Sequence, residues 1–577
     1  MVLLVGEPPD RADVVVIGSG FGGAVVAERL AAEGLDVCVL ERGKAYPPGS
    51  FPRTPAGLGA NFWDPSAGLH GMFDAWSFSG LDSIVSSGLG GGSLIYANVL
   101  LRKDPTWFRQ PHPYRPGVEE VWPIGYDDLA PHYDRVEQFL DVQTMPFDSP
   151  SGAFHLPKTA AMRDAGASTR GTFALAPLAV RFRDAAGEPA VGAELPLDGY
   201  PNIHRPGSPT SGRRTCRLLG ECDVGCNEGA KSSLDHTYLS AASHHGAHIH
   251  VLTEVRRLAR VDGGFDVTVA VHEPDAGPRP TAERPEHTIR ATRVVVAAGT
   301  LGSSYLLLDN RDALGITSPA LGTRFCGNGD LLGFVLGAAR ALEGTRGPVI
   351  SSYLRFDDAV DTHDERDHGM YIEDAGYPAI AAWLAEFSQS PAMLGRLGRL
   401  VALRLRERFT GGPHTHLSAD LARLIGPGTF SDDGLPLLGM GRDVPDGTLY
   451  LRDPDELRGP DDRPVLDSTW TTRTSQRYFA TMAARMEQLA DALDGRFEVN
   501  PSFWFRRVIT VHPLGGVPMS TSEREGVVDA HGRVRGVDGL RVCDGSVMPG
   551  PVGANPSLTI AAFADRVADD LLEEVLA

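Results

Sequence analysis

The chain has 577 residues, of which 42% are hydrophobic and 22% are charged. This balance excludes a disordered or fibrous protein, and the length allows two or more domains. With 74 acidic and 54 basic side chains, the net charge is −20, which repels nucleic acid and argues against a nucleic-acid partner. The 6 cysteines are too few for a disulfide scaffold in a chain of this length.

The N-terminal residues show no secretory signal. Residues 1–13 lack a basic stretch and contain only a short apolar run. No run of about 18 apolar residues occurs anywhere in the chain, so no integral membrane segment is predicted. We therefore expect a cytoplasmic protein.

Residues 13–40 predict a complete βαβ unit. Apolar, β-branched runs over 13–18 and 36–40 are typical of buried parallel strands, and the Ala-rich stretch over 24–33 between them indicates a helix. Strand, helix and strand in this order and at this spacing form the first half of a nucleotide-binding fold.

The glycines at the start of that helix carry the binding signal. Gly18, Gly20 and Gly23 follow the first strand directly, where backbone N–H groups and the helix dipole attract a pyrophosphate. Glu41 ends the second strand, in the position that binds ribose hydroxyls. A glycine triplet alone could be only a tight turn, but in this setting it predicts dinucleotide binding.

A second glycine cluster, Gly88-Leu-Gly-Gly-Gly92, lies further along the chain. Glycines at this density let the backbone pass very close to a flat or anionic group. A flexible loop is the alternative. The position of the cluster, followed by Ile95-Tyr96-Ala97-Asn98, favours a cofactor-binding loop.

The middle of the chain indicates a second domain. The pattern turns helical over residues 122–142, and the polar, Gly- and Pro-rich tract over 148–213 shows little periodicity, which predicts surface excursions. Alternating strands follow between 249 and 296, with a turn-rich insertion at 273–280.

The C-terminal half is predicted to form the substrate-facing domain, followed by further elements of the first domain. Residues 331–500 have few signature glycines and contain helical patterns over 378–408 and 474–494. The last 70 residues or so read as short strands and turns, followed by a helix over 557–573.

Two polar side chains near the C-terminus are candidates for chemistry. His512 precedes Pro-Leu-Gly-Gly, and Asn555 lies between Gly-Ala and Pro. Such neighbours fix the backbone, which suits a site that holds a hydroxyl group in one geometry. An isolated histidine is usually structural, but this setting favours a functional one.

Taken together, these motifs resemble those of the glucose-methanol-choline (GMC) oxidoreductases. The segments that carry the resemblance are the two glycine clusters, Trp122-Pro123, Gly299–Ser303, His512–Gly516, Asp544–Pro549 and Asn555-Pro556. The segments that resemble the bacterial cholesterol oxidase-like branch of that family are Gly92–Leu94, Tyr96–Asn98, Cys216–Lys231, Asn328-Gly329 and Gly439–Asp443.

The resemblance implies an α/β fold with a Rossmann-type FAD-binding domain, of the GMC and p-hydroxybenzoate hydroxylase-like kind, and a discontinuous α+β substrate domain. The FAD-binding domain is expected over 9–105, 214–330 and 505–577. Residues 106–213 are expected to hold substrate-domain and excursion segments, and 331–504 the substrate-binding domain.

The same resemblance implies FAD bound without a covalent link. Val255 resembles the family's adenine-contacting valine, and Asp544 with Gly545 matches the segment that meets the flavin. The full set of predicted cofactor-binding residues is Gly18, Gly20, Phe21, Gly22, Gly23, Glu41, Arg42, Gly88, Gly90, Gly91, Gly92, Ser93, Asn98, Val255, Ala298, Gly299, Asp544, Gly545, Asn555 and Pro556.

The implied activity is hydride transfer from a CH–OH group to flavin N5, without a metal. His512 and Asn555 are expected to orient the hydroxyl and take up or relay its proton. Oxygen or another acceptor then reoxidises the flavin. Glu373, within Met370–Pro378, is similar to the glutamate base of cholesterol oxidases; an exposed loop is the alternative at this position.

The expected substrate is an apolar small-molecule alcohol, a hydrophobic secondary alcohol such as a 3β-hydroxysteroid, which allows peripheral membrane contact. Branch resemblance and the apolar stretch over 377–387 favour it. The alternative is a polar alcohol such as a sugar or an aminoglycoside.

Two other functions are less consistent with the sequence. An NAD(P)H-dependent flavin reductase needs a second nucleotide-binding unit, and Gly299–Gly302 lacks the glycine spacing. A flavoprotein without activity would not need to keep His512 and Asn555.

The sequence also departs from the family pattern. Val517 stands where many relatives have cysteine, and Leu219 occupies a further thiol position. The thiols of Cys216, Cys222 and Cys226 are too few for an iron-sulfur or structural zinc site, so a structural knot is expected.

Overall fold

The structure is a computed structural model that describes residues 8–358, 369–377, 433–452 and 464–576. The helix expected over 378–408 and the apolar stretch that follows Tyr377 lie outside the described residues. Within the described part of the chain, no helix is both long and apolar enough to cross a membrane.

The first layer is a seven-stranded sheet, here called the central sheet. Its strands in spatial order are His248–His250, Val37–Leu40, Arg11–Ile17, Glu286–Val296, Gly264–Val271 and Thr253–Val261, with Leu540–Val542 beside the end of Glu286–Val296. Pairing is parallel around Arg11–Ile17 and antiparallel in the hairpin of Thr253–Val261 with Gly264–Val271. Because both faces of its parallel part are covered, these strands are continuous apolar runs.

The first helix, Phe21–Ala32, follows the first strand and packs against the C-terminal helix, Ser557–Leu576. Glycines in the first turn of Phe21–Ala32 let its backbone approach neighbouring strand ends closely. A Cβ atom on Gly22 would lie 1.9 Å from the carbonyl oxygen of Cys543, and one on Gly23 would lie 2.0 Å from that of Gly18. Helices Tyr126–Phe139 and Tyr238–His244 complete this layer.

The second layer is a six-stranded antiparallel sheet, here called the second sheet. Its strands in spatial order are Thr172–Leu175, Ser352–Phe356, Met370–Asp374, Leu435–Met440, Leu331–Leu336 and Arg496–Val499. Helices Pro157–Thr169 and Gln476–Ala492 pack on it. The fold-class prediction is thus confirmed: a Rossmann-type layer is combined with a second domain assembled from separate chain segments.

One prediction about the tract over 148–213 is wrong. Helix Pro157–Thr169 and strand Thr172–Leu175 belong to the core of the second domain and are not surface excursions. The helix buries small residues and Lys158, whose Nζ donates to the carbonyl oxygens of Pro348 at 2.9 Å and Val349 at 2.6 Å. A buried face that contains an ammonium group gives no apolar periodicity in the sequence.

The remaining elements are short. A three-stranded sheet contains Phe73–Ser77, Leu81–Ser86 and Val508–Thr510. The two-stranded pairs are Gln143–Thr144 with Pro177–Leu178, Leu449–Leu451 with Leu466–Ser468, Trp63–Asp64 with Leu69–His70, and Arg109–Pro111 with Glu119–Val121. The remaining helices and helical turns are Pro55–Gly59, Pro65–Ala67, Gly91–Leu94, Pro105–Phe108, Cys222–Val224, Pro274–Ala276, Thr281–Glu283, Gly299–Asp309, Arg311–Leu314, Pro501–Phe505 and Gly545–Val547.

Candidate active site

A cavity of about 1510 Å³ extends from the carboxyl ends of the central strands to the second sheet. Ile17, Leu40 and Ala297 line it at the central sheet, and Leu332 and Leu438 line it at the second sheet. Crevices at the carboxyl ends of parallel strands are where open α/β sheets bind ligands. Pockets for one ligand usually measure about 300–1,000 Å³, so this cavity has room for a large cofactor and a substrate together.

The part of the cavity formed by the first βαβ unit and the second glycine cluster is here called the nucleotide half. Its acidic residue is Glu41. Its Oε2 accepts from the hydroxyl of Ser19 at 2.5 Å, and its Oε1 accepts from the amide of Gly43 at 2.8 Å. Burial raises the pKa of Glu41 above its ordinary value. These hydrogen bonds hold the side chain of Glu41 at the cavity wall.

Glycines form a cradle along the same half. Gly20 precedes the first helix without any side-chain cap, which leaves N–H groups of the first turn free for an anion. A Cβ atom on Gly20, Gly92 or Gly299 would have no neighbour within 4 Å, and all three residues line the cavity. Gly91 is different, because its Cβ would lie 2.7 Å from the Cα of Gly20. The two glycine clusters therefore touch each other and leave open space in front of their backbone, which fits a dinucleotide.

Asp544 connects two cavity-lining segments. Its Oδ2 accepts from the amide of Gly299 at 2.9 Å and from the hydroxyl of Ser303 at 2.5 Å. Its Oδ1 accepts from the amide of Ser546 at 2.9 Å. Burial raises the pKa of Asp544. The carboxyl group thus fixes the start of helix Gly299–Asp309 against the segment that leads to the C-terminal helix.

His512 lines the cavity and is held by a buried acid. Its Nδ1 lies 2.9 Å from Oδ1 of Asp330. The side chain of His512 is 13% exposed, whereas that of Asp330 is 0% exposed. The backbone amide of His512 also donates to the hydroxyl of Thr510 at 2.9 Å. The imidazole therefore has one nitrogen engaged, and its ring is held at the cavity wall.

Asn555 and Glu373 meet at the other side of the site. The amide nitrogen of Asn555 donates to Oε2 of Glu373 at 3.4 Å, a long hydrogen bond. Oδ1 of Asn555 and Oε1 of Glu373 are buried and have no hydrogen-bond partner among the described residues. Burial raises the pKa of Glu373 well above its ordinary value. Two unsatisfied polar atoms at one place indicate a group that is supplied by a ligand.

The exposed-loop alternative for Glu373 is wrong. The residue lies in strand Met370–Asp374 of the second sheet, is fully buried, and pairs with Leu438 and Tyr353 in neighbouring strands. The surrounding sequence contains a run of apolar residues too short to show whether it is a strand or a loop.

The rest of the cavity wall, here called the substrate half, contains both apolar side chains and ion pairs. Apolar side chains come from Leu332, Phe334, Val349, Ile350, Tyr377, Pro436 and Leu438. Two ion pairs also line it: Arg452 with Asp467 at 2.5 Å, and Arg507 with Asp82 at 2.6 Å. The cavity can therefore contact both an apolar body and polar groups.

The predicted cofactor residues do not all reach the cavity wall. Those that line it are Gly18, Gly20, Phe21, Gly22, Glu41, Arg42, Gly91, Gly92, Val255, Ala298, Gly299, Asp544, Gly545, Asn555 and Pro556. Of the others, Gly23 packs against Gly18 and Ser93 bonds within its own loop, where its hydroxyl donates to Gly90 at 2.7 Å. Gly88 borders Tyr46 and Leu94, and Asn98 is buried with a φ of 71°.

Sequence reasoning missed Asp330. The neighbouring Asn328-Gly329 was recognised, but nothing local links Asp330 to a histidine 182 positions away. The contact becomes visible only when strand Leu331–Leu336 and strand Val508–Thr510 are placed side by side.

The cysteine cluster has a structural setting. All six cysteines are free, and Cys216 and Cys222 are buried. Lys231, at the end of this segment, donates from Nζ to the carbonyl oxygens of Leu94 at 3.0 Å, Tyr96 at 2.9 Å and Cys222 at 2.9 Å. The segment is thereby tied to the second glycine cluster.

Comparison with family models gives matches in three parts of the chain. The GMC oxidoreductase models match residues 207–326 and 443–564. A model of the NAD(P)-binding Rossmann-like domain matches residues 16–50, which include the first glycine cluster and Glu41.

Similar proteins extend over nearly the whole chain. A cholesterol oxidase of Mycobacterium tuberculosis is 28% identical over 96% of this chain and 90% of its own length. The 6'''-hydroxyparomomycin C oxidase of Streptomyces lividus is 27% identical, with the same two coverages of 96% and 90%. Among solved structures, a fungal aryl-alcohol oxidase superposes with a TM-score of 0.56 at 16% identity and covers 99% of this chain and 100% of its own.

Proposed function

We propose that this chain, as a member of the GMC oxidoreductase family and an alcohol-acting flavin oxidoreductase, holds FAD without a covalent bond. It oxidises a hydrophobic secondary alcohol, with His512 as the base. The single observation that carries the proposal is the convergence of His512 and Asn555 on one cavity that also contains the glycine cradle and Glu41.

The nucleotide half fits FAD. Gly20, Gly92 and Gly299 would let the cofactor approach their backbone, because each leaves open space where a side chain would be. Glu41 would accept from ribose hydroxyls, and the start of the first helix would bind the pyrophosphate. When bound, FAD would supply the hydride acceptor of the reaction.

The protein's own part in the reaction is to bind the alcohol and take its proton. His512 would accept the hydroxyl proton at Nε2, the ring nitrogen that is not engaged by Asp330. The NH2 group of Asn555 donates one N–H to Glu373, and its other N–H would donate to the alcohol oxygen and hold the hydroxyl in one orientation. The start of the C-terminal helix lines the cavity at Ser557, and the positive end of its dipole would favour negative charge on a group bound there.

The cofactor should leave the denatured protein. No histidine occurs between Ser79 and Ser87, the stretch just before the second glycine cluster in which covalent members of the family carry their linkage. Acid precipitation of the yellow protein should therefore release essentially all flavin into the supernatant, as read by its absorbance. Flavin that stays with the pellet would contradict non-covalent binding.

We propose a 3β-hydroxysteroid or a similar polycyclic alcohol as the substrate. The apolar wall from Leu332 to Leu438 supports this, because a rigid apolar body gains by leaving water for such a surface. The cholesterol oxidase relative is consistent with it. The alternative is a polar alcohol, and the ion pairs Arg452–Asp467 and Arg507–Asp82 within the same cavity favour it, since they could bind hydroxyl or amino groups.

A panel of sterols, aliphatic alcohols, sugars and an aminoglycoside decides between the two. We expect sterols to reduce the bound flavin fastest under anaerobic conditions, as followed by the loss of flavin absorbance, and later admission of air to show whether oxygen is the acceptor. Rapid reduction by a sugar or aminoglycoside, with sterols inert at their solubility limit, would reject the steroid proposal and leave the alcohol oxidoreductase in place.

Glu373 adds a second arm to that experiment. A carboxyl group buried behind Asn555, with one oxygen free, suits a base that moves a proton between substrate carbons. With a Δ5-sterol, the Glu373→Gln variant should accumulate the unconjugated ketone, whereas the unmodified enzyme should release the conjugated one. Identical products from both proteins would remove Glu373 from this role.

A further inference from the structure

Asp330 is a buried carboxylate that contacts the histidine segment at three points. Its Oδ1 lies 2.9 Å from Nδ1 of His512. Its Oδ2 accepts from the hydroxyl of Thr510 at 2.8 Å and from the amide of Val511 at 3.1 Å. All of these partners belong to three consecutive residues, so Asp330 fixes the backbone and the ring of His512 together.

These contacts determine which nitrogen of the ring carries the proton. An ionised carboxylate only accepts hydrogen bonds, so Nδ1 of His512 must be the donor. In the neutral ring, Nε2 then has a lone pair and is free to take a proton. A positive charge that forms on the ring afterwards lies next to a negative one.

We propose that Asp330 is a positioning residue for alcohol oxidation, which holds His512 in the proton-accepting tautomer and stabilises the imidazolium that forms when the alcohol loses its hydroxyl proton. This inference rests on the proposed function of His512 as the base. No bond to Asp330 forms or breaks, and the proton stays on His512.

Other titratable groups face this site from neighbouring elements. Glu373 comes from the second sheet, Asp443 follows strand Leu435–Met440, and Tyr478 belongs to helix Gln476–Ala492. Burial raises the pKa of Asp443 to about 7 and that of Glu373 well above its ordinary value. These shifts favour the neutral forms of the Glu373 and Asp443 carboxyl groups.

The Asp330→Asn variant tests the tautomer directly. The Thr510 hydroxyl and the Val511 amide both donate to one oxygen, so the amide oxygen of asparagine should face them and its NH2 group should face His512. Nδ1 would then accept, and Nε2 would carry the hydrogen. We expect flavin reduction to slow at least about 100-fold, while FAD content and half-saturating substrate concentration change little.

A double-mutant cycle separates positioning from a general structural role. If Asp330 acts through His512, Asp330→Asn should slow the His512→Ala enzyme by less than about 3-fold. Asp330→Ser, with a smaller side chain, is a second variant with the same expected pattern. Asp565→Asn is the matched control: it changes a buried carboxyl group that lies 2.7 Å from Nδ1 of His132 and does not line the cavity, and it should leave the rate near normal.

The outcomes can be told apart. A near-normal rate in Asp330→Asn, or losses that multiply in the double variant, would overturn the positioning role and leave the function of His512 in place. A near-normal rate in His512→Ala would instead reject His512 as the base, whatever Asp330→Asn does.

Discussion

Replacing His512 with alanine is expected to lower the rate of flavin reduction by the alcohol at least about 100-fold, the usual scale for the loss of an acid–base group. FAD should stay bound, because the glycine cradle and Glu41 lie in the other half of the cavity. Anaerobic stopped-flow absorbance measures the rate, and the flavin-to-protein absorbance ratio measures cofactor content.

His244→Ala is the control for that experiment. His244 is exposed at the end of helix Tyr238–His244, so its loss should change neither quantity. A His512→Ala enzyme that reduces its flavin within a few-fold of the normal rate would show that the proton leaves by another route.

Replacing Gly20 with alanine should weaken cofactor binding strongly but leave the protein folded. Gly20 has a φ of −72°, which alanine adopts readily, and its Cβ would have no neighbour within 4 Å in the protein. The methyl group would instead occupy the open space in front of the Gly20 backbone, where the pyrophosphate would bind. We expect the dissociation constant of FAD to rise at least about 100-fold, which corresponds to about 2.7 kcal/mol, with an unchanged thermal midpoint of the apoprotein.

Gly125→Ala serves as the matched substitution. Gly125 also precedes a helix, with a φ of −106°, and its Cβ would meet only the carboxylate of Asp128 at 3.6 Å. FAD affinity should be normal in this variant. Normal FAD affinity in Gly20→Ala would mean that the cofactor does not pass along the first glycine cluster.

Much of the nucleotide half could be predicted from sequence because its signals are local. Gly18, Gly20 and Glu41 lie within one βαβ unit, and the periodicity of that unit gives both strands and the helix. The C-terminal helix was predicted for the same reason, since its apolar face repeats over many turns.

The parts that sequence could not predict depend on contacts between distant segments. The role of Asp330 can be recognised only when the residue is placed beside His512, and that of Glu373 only beside Asn555. Each partner lies 182 residues further along the chain. Lys158 made its helix look exposed for another reason. Its ammonium group is buried and donates to two carbonyl oxygens, but a lysine in the sequence indicates a surface position.

The strand Glu286–Val296 has a consequence for how the protein is made. Its first part pairs with the hairpin strand Gly264–Val271, but its last residues pair with Leu540–Val542. On the ribosome, strand Glu286–Val296 therefore emerges long before Leu540–Val542, and the nascent chain leaves the edge at residues 294–296 unpaired until that strand is made. His512 and Asn555 lie on either side of Leu540–Val542 in the chain, so the molecule acquires this central strand and its reactive groups in the same stretch of synthesis.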